Sequence, residues 1–489
     1  MRTEGGRQTV PADGLARARP GEVGIDARRV EDFLDRVDSA GLSLHSFVLH
    51  RRGHVAVELY WWPYRADRPR VMHSVAKSFT ACAIGLALEE GRFTLTDKVV
   101  SFFPKHLPLV IDAKLAAMTV EDLLTMRTGH GEETSGSRWR GLRTSWIEAF
   151  FKIPVIHQPG TVYVYTSAAS YLLSAILTQT TGETLHDYLR PRLFEPLGIA
   201  GESWDVGPDG INPGGNGLNC KTIDILKLGV LHARKGVWNG RRILSEAWVS
   251  EATRAHSESG YGYHWTAGRG GSYAAMGVFA QMVVVFPDQD ATLAMTGGVN
   301  GTHACLERML PLVYEHFPGA FLDGIRDDAE SDERLERRAA GVAAIAPLIS
   351  LAEAAAGNTG ILAYRVNPNP LGVTRLHLDL ARDVCTLHVD DGNGGHSIEM
   401  GVGRWIESET NIPGRDLHHG YDLRPARVVA GARWLDPNTL EMTWIFAETA
   451  FRDTVVCRFV GDRVSVSRSV NVNSGPLSQP ELSGERVEP

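Results

Sequence analysis

The sequence predicts an α/β (α+β) protein. An antiparallel sheet is flanked by helices, an all-helical insert interrupts that sheet, and an antiparallel β-barrel or sandwich follows. Residues 42–60 have the pattern of a β-hairpin, and strand signals return only at 261–296. Between them, from about 74 to 254, the apolar periodicity is mostly helical. Residues 360–473 then carry short strands separated by turn signals, which is typical of a small barrel or sandwich.

Changes in composition divide the chain into five segments. We expect a disordered N-terminus at 1–22, the sheet-and-helix domain at 23–317, a charged linker at 318–347, the β-domain at 348–475 and a tail at 476–489. Acidic and basic side chains alternate densely within 318–347, ahead of an alanine-rich stretch. This pattern favours a solvated, partly helical linker.

The first domain begins with a helix and a hairpin. Asp26 precedes a run whose apolar residues share one helical face. Arg51-Arg52-Gly53 joins the two strands of the hairpin, and a long apolar helix then runs from Ser74 to about Glu90. The later helices are predicted at 120–126, 170–180, 224–233, 245–253 and 302–316, and the returning strands at 261–266, 281–286 and 291–296.

The β-domain is predicted from short apolar runs at near-regular spacing. Asp391-Gly392-Asn393-Gly394-Gly395 is a strong turn signal after two of them. The strands are predicted at 376–380, 384–389, 440–446, 454–459 and 464–469. The pattern does not decide between a barrel and a sandwich.

Composition and charge exclude several classes of protein. The 489 residues are 43% hydrophobic and 22% charged, which is ordinary for a globular protein, and the net charge is −8. This acidic balance argues against nucleic-acid binding. No apolar run approaches the length of a membrane span, and residues 1–20 do not resemble a signal peptide, so we expect a cytoplasmic protein. The five cysteines are scattered and predict neither a disulfide framework nor a metal site.

Ser74 and Lys77 are the first candidate functional residues. They are three positions apart at the start of the long apolar helix, so a hydroxyl and an amine lie on one helix face. The first-turn N–H groups favour negative charge there, and a neutral lysine can accept the proton of the hydroxyl. The alternative is a helix-capping serine followed by a solvated lysine.

Three further segments accompany this pair. They are Leu123-Leu124-Thr125-Met126-Arg127-Thr128-Gly129-His130, Tyr163-Val164-Tyr165-Thr166-Ser167, and Gly260-Tyr261-Gly262-Tyr263-His264-Trp265 leading into Ala275-Met276-Gly277-Val278. In this order and spacing, residues from about 22 to 316 resemble the serine β-lactamase and penicillin-binding-protein superfamily. Within it, the chain is most similar to the class C-like branch of esterases, D-aminopeptidases and amide hydrolases.

The resemblance implies a role for each matching residue. Ser74 corresponds to the nucleophile, Lys77 to the neighbouring amine, and Tyr165 to the tyrosine of a Tyr-x-Asn motif, whose pKa the lysine would lower. The backbone N–H groups of Ser74 and Val278 would form the oxyanion hole. The family chemistry implies no metal and no organic cofactor.

Two positions depart from the family pattern. Ser167 replaces the asparagine of the tyrosine motif, and the Lys-Thr-Gly site has Ala275, Met276 and Gly277 instead. A fixed cation for a substrate carboxylate is therefore absent from that strand, and Arg269 is one candidate replacement. We expect Ser167, Met276 and Gly277 to contact substrate.

Two histidines are further candidates for contact with substrate. His130 lies in a glycine-flanked loop, where it either lines the pocket or anchors the loop. His264 either faces the pocket, where it could also replace the missing cation, or packs in the core.

The predicted function is hydrolysis of an ester or amide bond in a small molecule or short peptide, through an acyl-enzyme on Ser74. One alternative is an acyltransferase or peptide cyclase on the same scaffold. The other is a catalytically silent binding or sensor protein, which the presence of Ser74, Lys77 and Tyr165 disfavours. The oligomeric state and the role of the β-domain are not predicted.

Overall fold

The computed structural model describes residues 13–133, 139–326, 328–351 and 359–488. The chain forms two units. The first extends to Val342 but leaves out Trp62–Tyr64 and Gly298–Thr302. These two short segments belong with the residues from Ala343 onward, which make up the second unit.

The first unit is built on a sheet whose described strands follow the order β1-β3-β2-β12-β11-β10-β9. All neighbours in it are antiparallel except the short β1–β3 pair. The described strands of this unit are β1 (Ala16–Arg17), β2 (Leu44–Arg51), β3 (His54–Tyr60), β4 (Arg70–Val71), β5 (Ser203–Trp204), β6 (Leu218–Cys220), β7 (Val237–Trp238), β8 (Arg241–Arg242), β9 (Thr266–Ala267), β10 (Tyr273–Gly277), β11 (Gln281–Phe286) and β12 (Ala291–Gly297). The sheet is therefore begun by β2 and β3 and completed more than two hundred residues later.

Helices cover both faces of the sheet and fill the insert. Those with described bounds are α1 (Ala27–Ser39), α2 (Ala76–Glu89), α3 (Ala113–Ala117), α4 (Val120–Leu124), α5 (Trp146–Phe151), α6 (Ser167–Thr181), α7 (Leu185–Leu189), α8 (Thr222–Ala233), α9 (Glu246–Thr253), α10 (Leu310–Ala320) and α11 (Ala329–Val342). Short 3-10 turns lie at Gly21–Val23, His73–Val75, Val99–Phe102, Arg269–Gly271 and Pro287–Gln289, and π turns at Arg190–Phe194 and Cys305–Met309.

Close packing against both faces fixes the position of the sheet. On one face, Phe33 of α1 and Phe317 of α10 meet Phe47 of β2, with ring centroids 5.0–6.0 Å apart. On the other face, α8 approaches so closely that a Cβ on Gly229 would lie 2.6 Å from side-chain atoms of Thr292 and Val283. The fold class predicted from the sequence is confirmed.

The second unit contains a closed ring of nine strands, so the β-domain is a barrel and not a sandwich. The ring follows the order β16-β15-β14-β13-β22-β21-β20-β19-β18, and β18 pairs back to β16. A tenth strand, β17, pairs with β18. The strands are β13 (Gly360–Val366), β14 (Arg375–Leu380), β15 (Val384–Asp391), β16 (Gly394–Val402), β17 (Ile406–Thr410), β18 (Ala426–Asp436), β19 (Thr439–Phe446), β20 (Arg452–Val460), β21 (Arg463–Val470) and β22 (Leu482–Val487).

Three predicted segment assignments differ from what the structure describes. The C-terminal stretch predicted as a tail contains β22, which pairs with β13 and β21. The stretch predicted as a linker contains α11, whose Arg334 pairs with Glu31 and whose Arg338 contacts Asp35 of α1. The segment 1–22 was predicted to be disordered, and residues 1–12 of it lie outside the described residues. Within the rest of that segment, however, β1 forms and pairs with β3.

Within the described ranges, none of the helices combines the length and the apolar character that a membrane crossing requires.

Candidate active site

Ser74 lies in the 3-10 turn His73–Val75 that leads directly into α2. Its side chain does not cap the helix: the capping position is Val75, which makes no side-chain cap bond. The Lys77 Nζ instead donates a hydrogen bond to the Ser74 Oγ at 3.0 Å. The three-residue spacing therefore brings the hydroxyl and the amine into direct contact.

Lys77 is buried, with 1% of its surface exposed. Its Nζ has two further acceptors, the Ser167 Oγ at 3.2 Å and the Gly215 carbonyl at 2.8 Å. Burial lowers the pKa of Lys77 to about 7; Arg140 adds to the lowering and Glu133 opposes it. A large fraction of the amine is therefore unprotonated near neutral pH, and an unprotonated amine can accept a proton from Ser74.

Tyr165 is the third member of this group. Its hydroxyl is hydrogen-bonded to the Ser74 side chain, and the Lys77 Nζ lies 4.9 Å from the centre of its ring. The expectation that the lysine lowers the pKa of this phenol is wrong: burial raises the pKa of Tyr165, and the hydrogen bond to Ser74 only partly opposes the rise. The phenol therefore keeps its proton at neutral pH. We call Ser74, Lys77, Tyr165 and Ser167 the Ser74 cluster.

Two backbone contacts hold the segment that carries Tyr165. The Val164 N–H donates to the Met126 carbonyl at 2.9 Å, and the Gly160 N–H donates to the Arg127 carbonyl at 2.8 Å. Thr166 then caps α6 by accepting from the Ala168 N–H at 3.3 Å. Ser167, the first residue of α6, is thereby held within reach of Lys77.

The Gly214-Gly215 loop is part of the site and was missed in the sequence. Gly215 supplies the shortest hydrogen bond to Lys77, and Thr80, about one helical turn further along α2, donates to the Gly214 carbonyl at 2.7 Å. A Cβ on Gly215 would lie 3.3 Å from the Lys77 Nζ, so a side chain there would crowd the amine. The available signal was the glycine-rich run of residues 214–217 shortly before a capped helix.

Gly277 ends β10 directly against the turn that carries Ser74. A Cβ at this position would lie 2.7 Å from the Met72 carbonyl oxygen and 3.0 Å from the Ser74 nitrogen. The strand can therefore approach the turn only because this residue has no side chain. Val278 follows Gly277 in the β10–β11 turn.

Three residues beside this junction adopt left-handed backbone conformations: His73 (φ 48°), Phe279 (φ 65°) and Ala280 (φ 72°). The rings of His73 and Phe279 pack edge to face at 5.4 Å. The Gln281 Nε2 donates to the Phe279 carbonyl and to the Gly297 carbonyl, both at 3.0 Å. Strained backbone held by such contacts is a frequent feature of functional sites.

The strand that departs from the family pattern presents no cation. Ala275 is buried in the core, and Met276 is partly exposed. Arg269, the candidate replacement, lies at the other end of β10, with its guanidinium carbon 5.6 Å from the centre of the Tyr314 ring. Its side chain therefore packs on α10.

Both candidate histidines are buried. His264 contacts the Ser170 Oγ at 3.1 Å through Nε2 and the Tyr261 hydroxyl at 3.4 Å through Nδ1. His130 contacts the Thr128 Oγ1 at 3.0 Å. Burial lowers the pKa of His264 to about 3 and that of His130 to about 4, so both rings are neutral near pH 7.

A cavity of about 700 Å³ lies next to the tyrosine segment. Arg127, Tyr163 and His256 are among its lining residues. The Tyr261 ring connects this region to the Ser74 cluster, because it lies 5.4 Å from the Tyr163 ring and 6.1 Å from the Tyr165 ring. None of the residues of the Ser74 cluster is among those that line this cavity.

Comparison with known proteins agrees with this architecture. The Beta-lactamase family model matches residues 27–312. Over 296 residues the chain is 21% identical to the 6-aminohexanoate-dimer hydrolase of Paenarthrobacter ureafaciens, covering 55% of this chain and 75% of the relative. Over 243 residues it is 28% identical to penicillin-binding protein 4 of Amycolatopsis lactamdurans. That match covers 43% of this chain and 61% of the relative, which is less than two thirds of the relative's length.

A solved structure, a putative 6-aminohexanoate-dimer hydrolase from Bacillus anthracis, matches with a TM-score of 0.50 at 17% identity. The match covers 66% of this chain and 88% of that structure, and it supports the fold. The family model spans more than half of the chain. The chain therefore belongs to the beta-lactamase family of serine hydrolases.

Proposed function

We propose that this protein hydrolyses an ester or amide bond of a small molecule or short peptide through an acyl-enzyme on Ser74. The observation that carries the proposal is the 3.0 Å contact between the Ser74 Oγ and a buried Lys77 whose pKa is about 7. A serine hydroxyl is a weak nucleophile unless a neighbouring base takes its proton.

The first half of the reaction forms the acyl-enzyme. The Ser74 Oγ attacks the carbonyl carbon while its proton passes to neutral Lys77. The oxyanion that develops is stabilised by the backbone N–H groups of Ser74 and Val278. As the intermediate collapses, the bond to the leaving group breaks, and the leaving group takes the proton that Lys77 received, either directly or relayed through the phenol of Tyr165, which regains a proton from Lys77. The raised pKa keeps the phenol protonated before and after this relay.

The second half releases the product. A water molecule attacks the acyl carbon while its proton passes to neutral Lys77, directly or through the phenol of Tyr165, and the ester bond to Ser74 then breaks. Ser74 recovers its proton, and the substrate leaves as a carboxylic acid. The Gly215 carbonyl and the Ser167 hydroxyl orient the amine by accepting from it throughout.

The substrate class follows from what the pocket lacks. Ala275 offers no cation and Ser167 offers no side-chain amide, so a carboxylate and an acylamino group are poorly held. We propose a small ester, amide or D-amino-acid peptide as substrate. The relative named 6-aminohexanoate-dimer hydrolase is consistent with a small substrate of this kind.

Active-site labelling tests the proposal. A fluorophosphonate probe should label the protein at Ser74, as located by mass spectrometry of the digested adduct, and p-nitrophenyl butyrate should be turned over. Ser74→Ala should abolish both, and Lys77→Met should lower turnover by about a hundredfold or more. Ser78→Ala is the matched control, because Ser78 donates to the His264 carbonyl and not to the cluster. Turnover by a folded Ser74→Ala variant would refute the proposal.

A further inference from the structure

The barrel of the second unit contains a cavity of about 280 Å³. Inward-facing residues of several strands line it, among them Leu376 of β14, Leu387 of β15, Val455 of β20 and Val466 of β21. The cavity occupies one end of the barrel. Towards the other end, positions of the barrel strands are filled by buried apolar side chains: Leu380, Cys385, Met400 and Leu440. The barrel is therefore packed at one end and hollow at the other.

Two buried polar atoms of residues that line this cavity lack a hydrogen-bond partner among the described residues, the Trp444 Nε1 and the Arg468 Nη2, and the second is held in an ion pair 2.6 Å from the Asp453 Oδ2. Trp444 lines the cavity and is 1% exposed, and its indole Nε1 has no hydrogen-bond partner among the described residues. Leaving a buried donor unsatisfied costs about 1–3 kcal/mol. An acceptor atom supplied by a bound molecule would remove that cost.

The ion pair beside Trp444 is held by hydrogen bonds from two other nitrogens of Arg468. The Arg468 Nε donates to the Asp453 Oδ2 at 2.8 Å, and its Nη1 donates to the Pro413 carbonyl at 2.6 Å. The His418 Nε2 contacts the other oxygen of Asp453 at 2.8 Å. Arg468 and His418 hold the pKa of Asp453 below its ordinary value, although burial alone would raise it. Arg468, which lines the cavity, is thus held in a fixed position and its charge is neutralised by Asp453.

The charges around the cavity nearly cancel. Two acidic and two basic side chains line it, Asp391, Asp416, Arg415 and Arg468, and the buried Asp453 is paired with Arg468. The one excess negative charge disfavours an anion, and the apolar side chains of the lining favour an uncharged molecule. The volume lies just below the roughly 300–1,000 Å³ of sites for drug-sized ligands, so the occupant is small.

We propose that the barrel cavity binds a small, uncharged, mainly apolar molecule that carries a carbonyl or hydroxyl oxygen. The apolar part lies against Leu376, Leu387, Val455 and Val466, and the oxygen accepts a hydrogen bond from the Trp444 Nε1. This site is separate from the Ser74 cluster, and the proposal does not depend on the reaction proposed for that cluster.

Fluorescence titration tests the proposal on the full chain. The neutral dye N-phenyl-1-naphthylamine is titrated into the protein and then displaced with 2-nonanone, nonanoate or nonylamine. We expect saturable dye binding that 2-nonanone reverses at concentrations at least tenfold lower than either charged analogue. Absence of saturable binding, or displacement by an ion as effective as that by the ketone, would overturn the proposal.

Two variants locate the site. Val466→Phe places a ring in the cavity and should abolish binding of both dye and ketone. Trp444→Phe removes the N–H but keeps an aromatic ring, and it should weaken 2-nonanone about threefold to tenfold while changing dye affinity by less than twofold. Circular dichroism and the thermal midpoint check the fold of each variant. Trp444→Phe keeps the test decisive if Val466→Phe does not fold. Wild-type affinities in folded Val466→Phe, or an unchanged ketone affinity in Trp444→Phe, would contradict the assignment.

Discussion

The protonation states of two residues determine which of them can act as a base. Burial lowers the pKa of Lys77 to about 7 and raises that of Tyr165 above its ordinary value. The amine is therefore the group that gains and loses a proton near neutral pH, whereas the phenol stays protonated. Such a separation of pKa values between neighbouring groups distinguishes a base from an acid.

This separation predicts the pH dependence of ester hydrolysis. Because only neutral Lys77 can accept a proton from Ser74, kcat/KM should rise about tenfold per pH unit in acid and level off above an apparent pKa near 7. The measurement is hydrolysis of p-nitrophenyl butyrate from pH 5 to 9. Tyr165→Phe should lower the plateau without moving the midpoint. A profile that stays flat across pH 7 would show that Lys77 is not the base.

Two departures from the family pattern, one on β10 and one at the start of α6, predict poor β-lactamase activity. A lost charge-assisted hydrogen bond costs about 1.5–3 kcal/mol, and two such partners are replaced here, by Ala275 and Ser167. We expect kcat/KM for nitrocefin to be at least a hundredfold below that for p-nitrophenyl butyrate, measured on one preparation. Comparable values would mean that a cation outside β10 holds the carboxylate.

At the scale of elements, the site is a junction between α2, α6, the Gly214-Gly215 loop and the end of β10. Each element contributes one or two groups, and glycines occur where two backbones come closest. The clearest case is Gly277, where a Cβ would meet both the Met72 carbonyl and the Ser74 nitrogen. The position of the nucleophile therefore depends on a strand that supplies none of the side chains of the Ser74 cluster.

Gly277→Ala tests this dependence. The added methyl group should push the turn of Ser74 away from β10 and lower kcat/KM for the ester about a hundredfold, since a displacement of about 1 Å can have that effect. Gly341→Ala is the matched control, because a Cβ there meets nothing within 4 Å. Near-wild-type activity in a folded Gly277→Ala variant would contradict this account.

At the scale of the whole molecule, four buried histidines make the stability of the first unit depend on pH. Burial lowers the pKa of His50 and His264 to about 3 and that of His130 and His232 to about 4. In the unfolded chain these rings titrate near 6.5, so below that pH the unfolded state binds more protons than the folded state. The contribution of these neutral histidines to the free energy of unfolding is therefore fully present above pH 6.5 and is lost as the pH falls toward 4.

The thermal midpoint should therefore fall steeply between pH 6.5 and 4. Each such histidine can contribute up to about 1.4 kcal/mol of unfolding free energy per pH unit. His50→Leu should reduce that slope, because both ring nitrogens of His50 are buried without a partner among the described residues. Calorimetry of both proteins across this range is the measurement. An identical slope in the two proteins would argue against a buried, neutral His50.

Local patterns in the sequence predicted part of the site. The spacing of Ser74 and Lys77 is a helical repeat, so their contact followed from the sequence. Gly215 is 138 residues from Lys77, and no periodicity connects a loop carbonyl to a distant amine. The left-handed conformation of His73 has no sequence signal either, because tertiary packing imposes it. The rise in the pKa of Tyr165 depends on burial, which a motif does not encode.

In the fold, too, local features could be predicted from the sequence and contacts between distant residues could not. The helices and hairpins followed from local periodicity, and so did the return of strands to the first sheet after the helical insert, whereas the order of those strands was not predicted. Closure of the barrel did not follow from periodicity either, because β22 pairs with β13, whose residues are more than a hundred positions earlier. A short alternating strand at the end of a polar stretch has the same composition as a tail.

That pairing has a consequence for how the barrel is made. During synthesis β13 emerges first, and each following strand can add to a growing open sheet. Until β22 is made, β13 and β21 remain as two unpaired edges, and exposed edges are templates for association with other chains. The nascent β-domain is therefore most prone to aggregate just before its last strand appears, and a chain that stops before Leu482 would keep that vulnerability permanently.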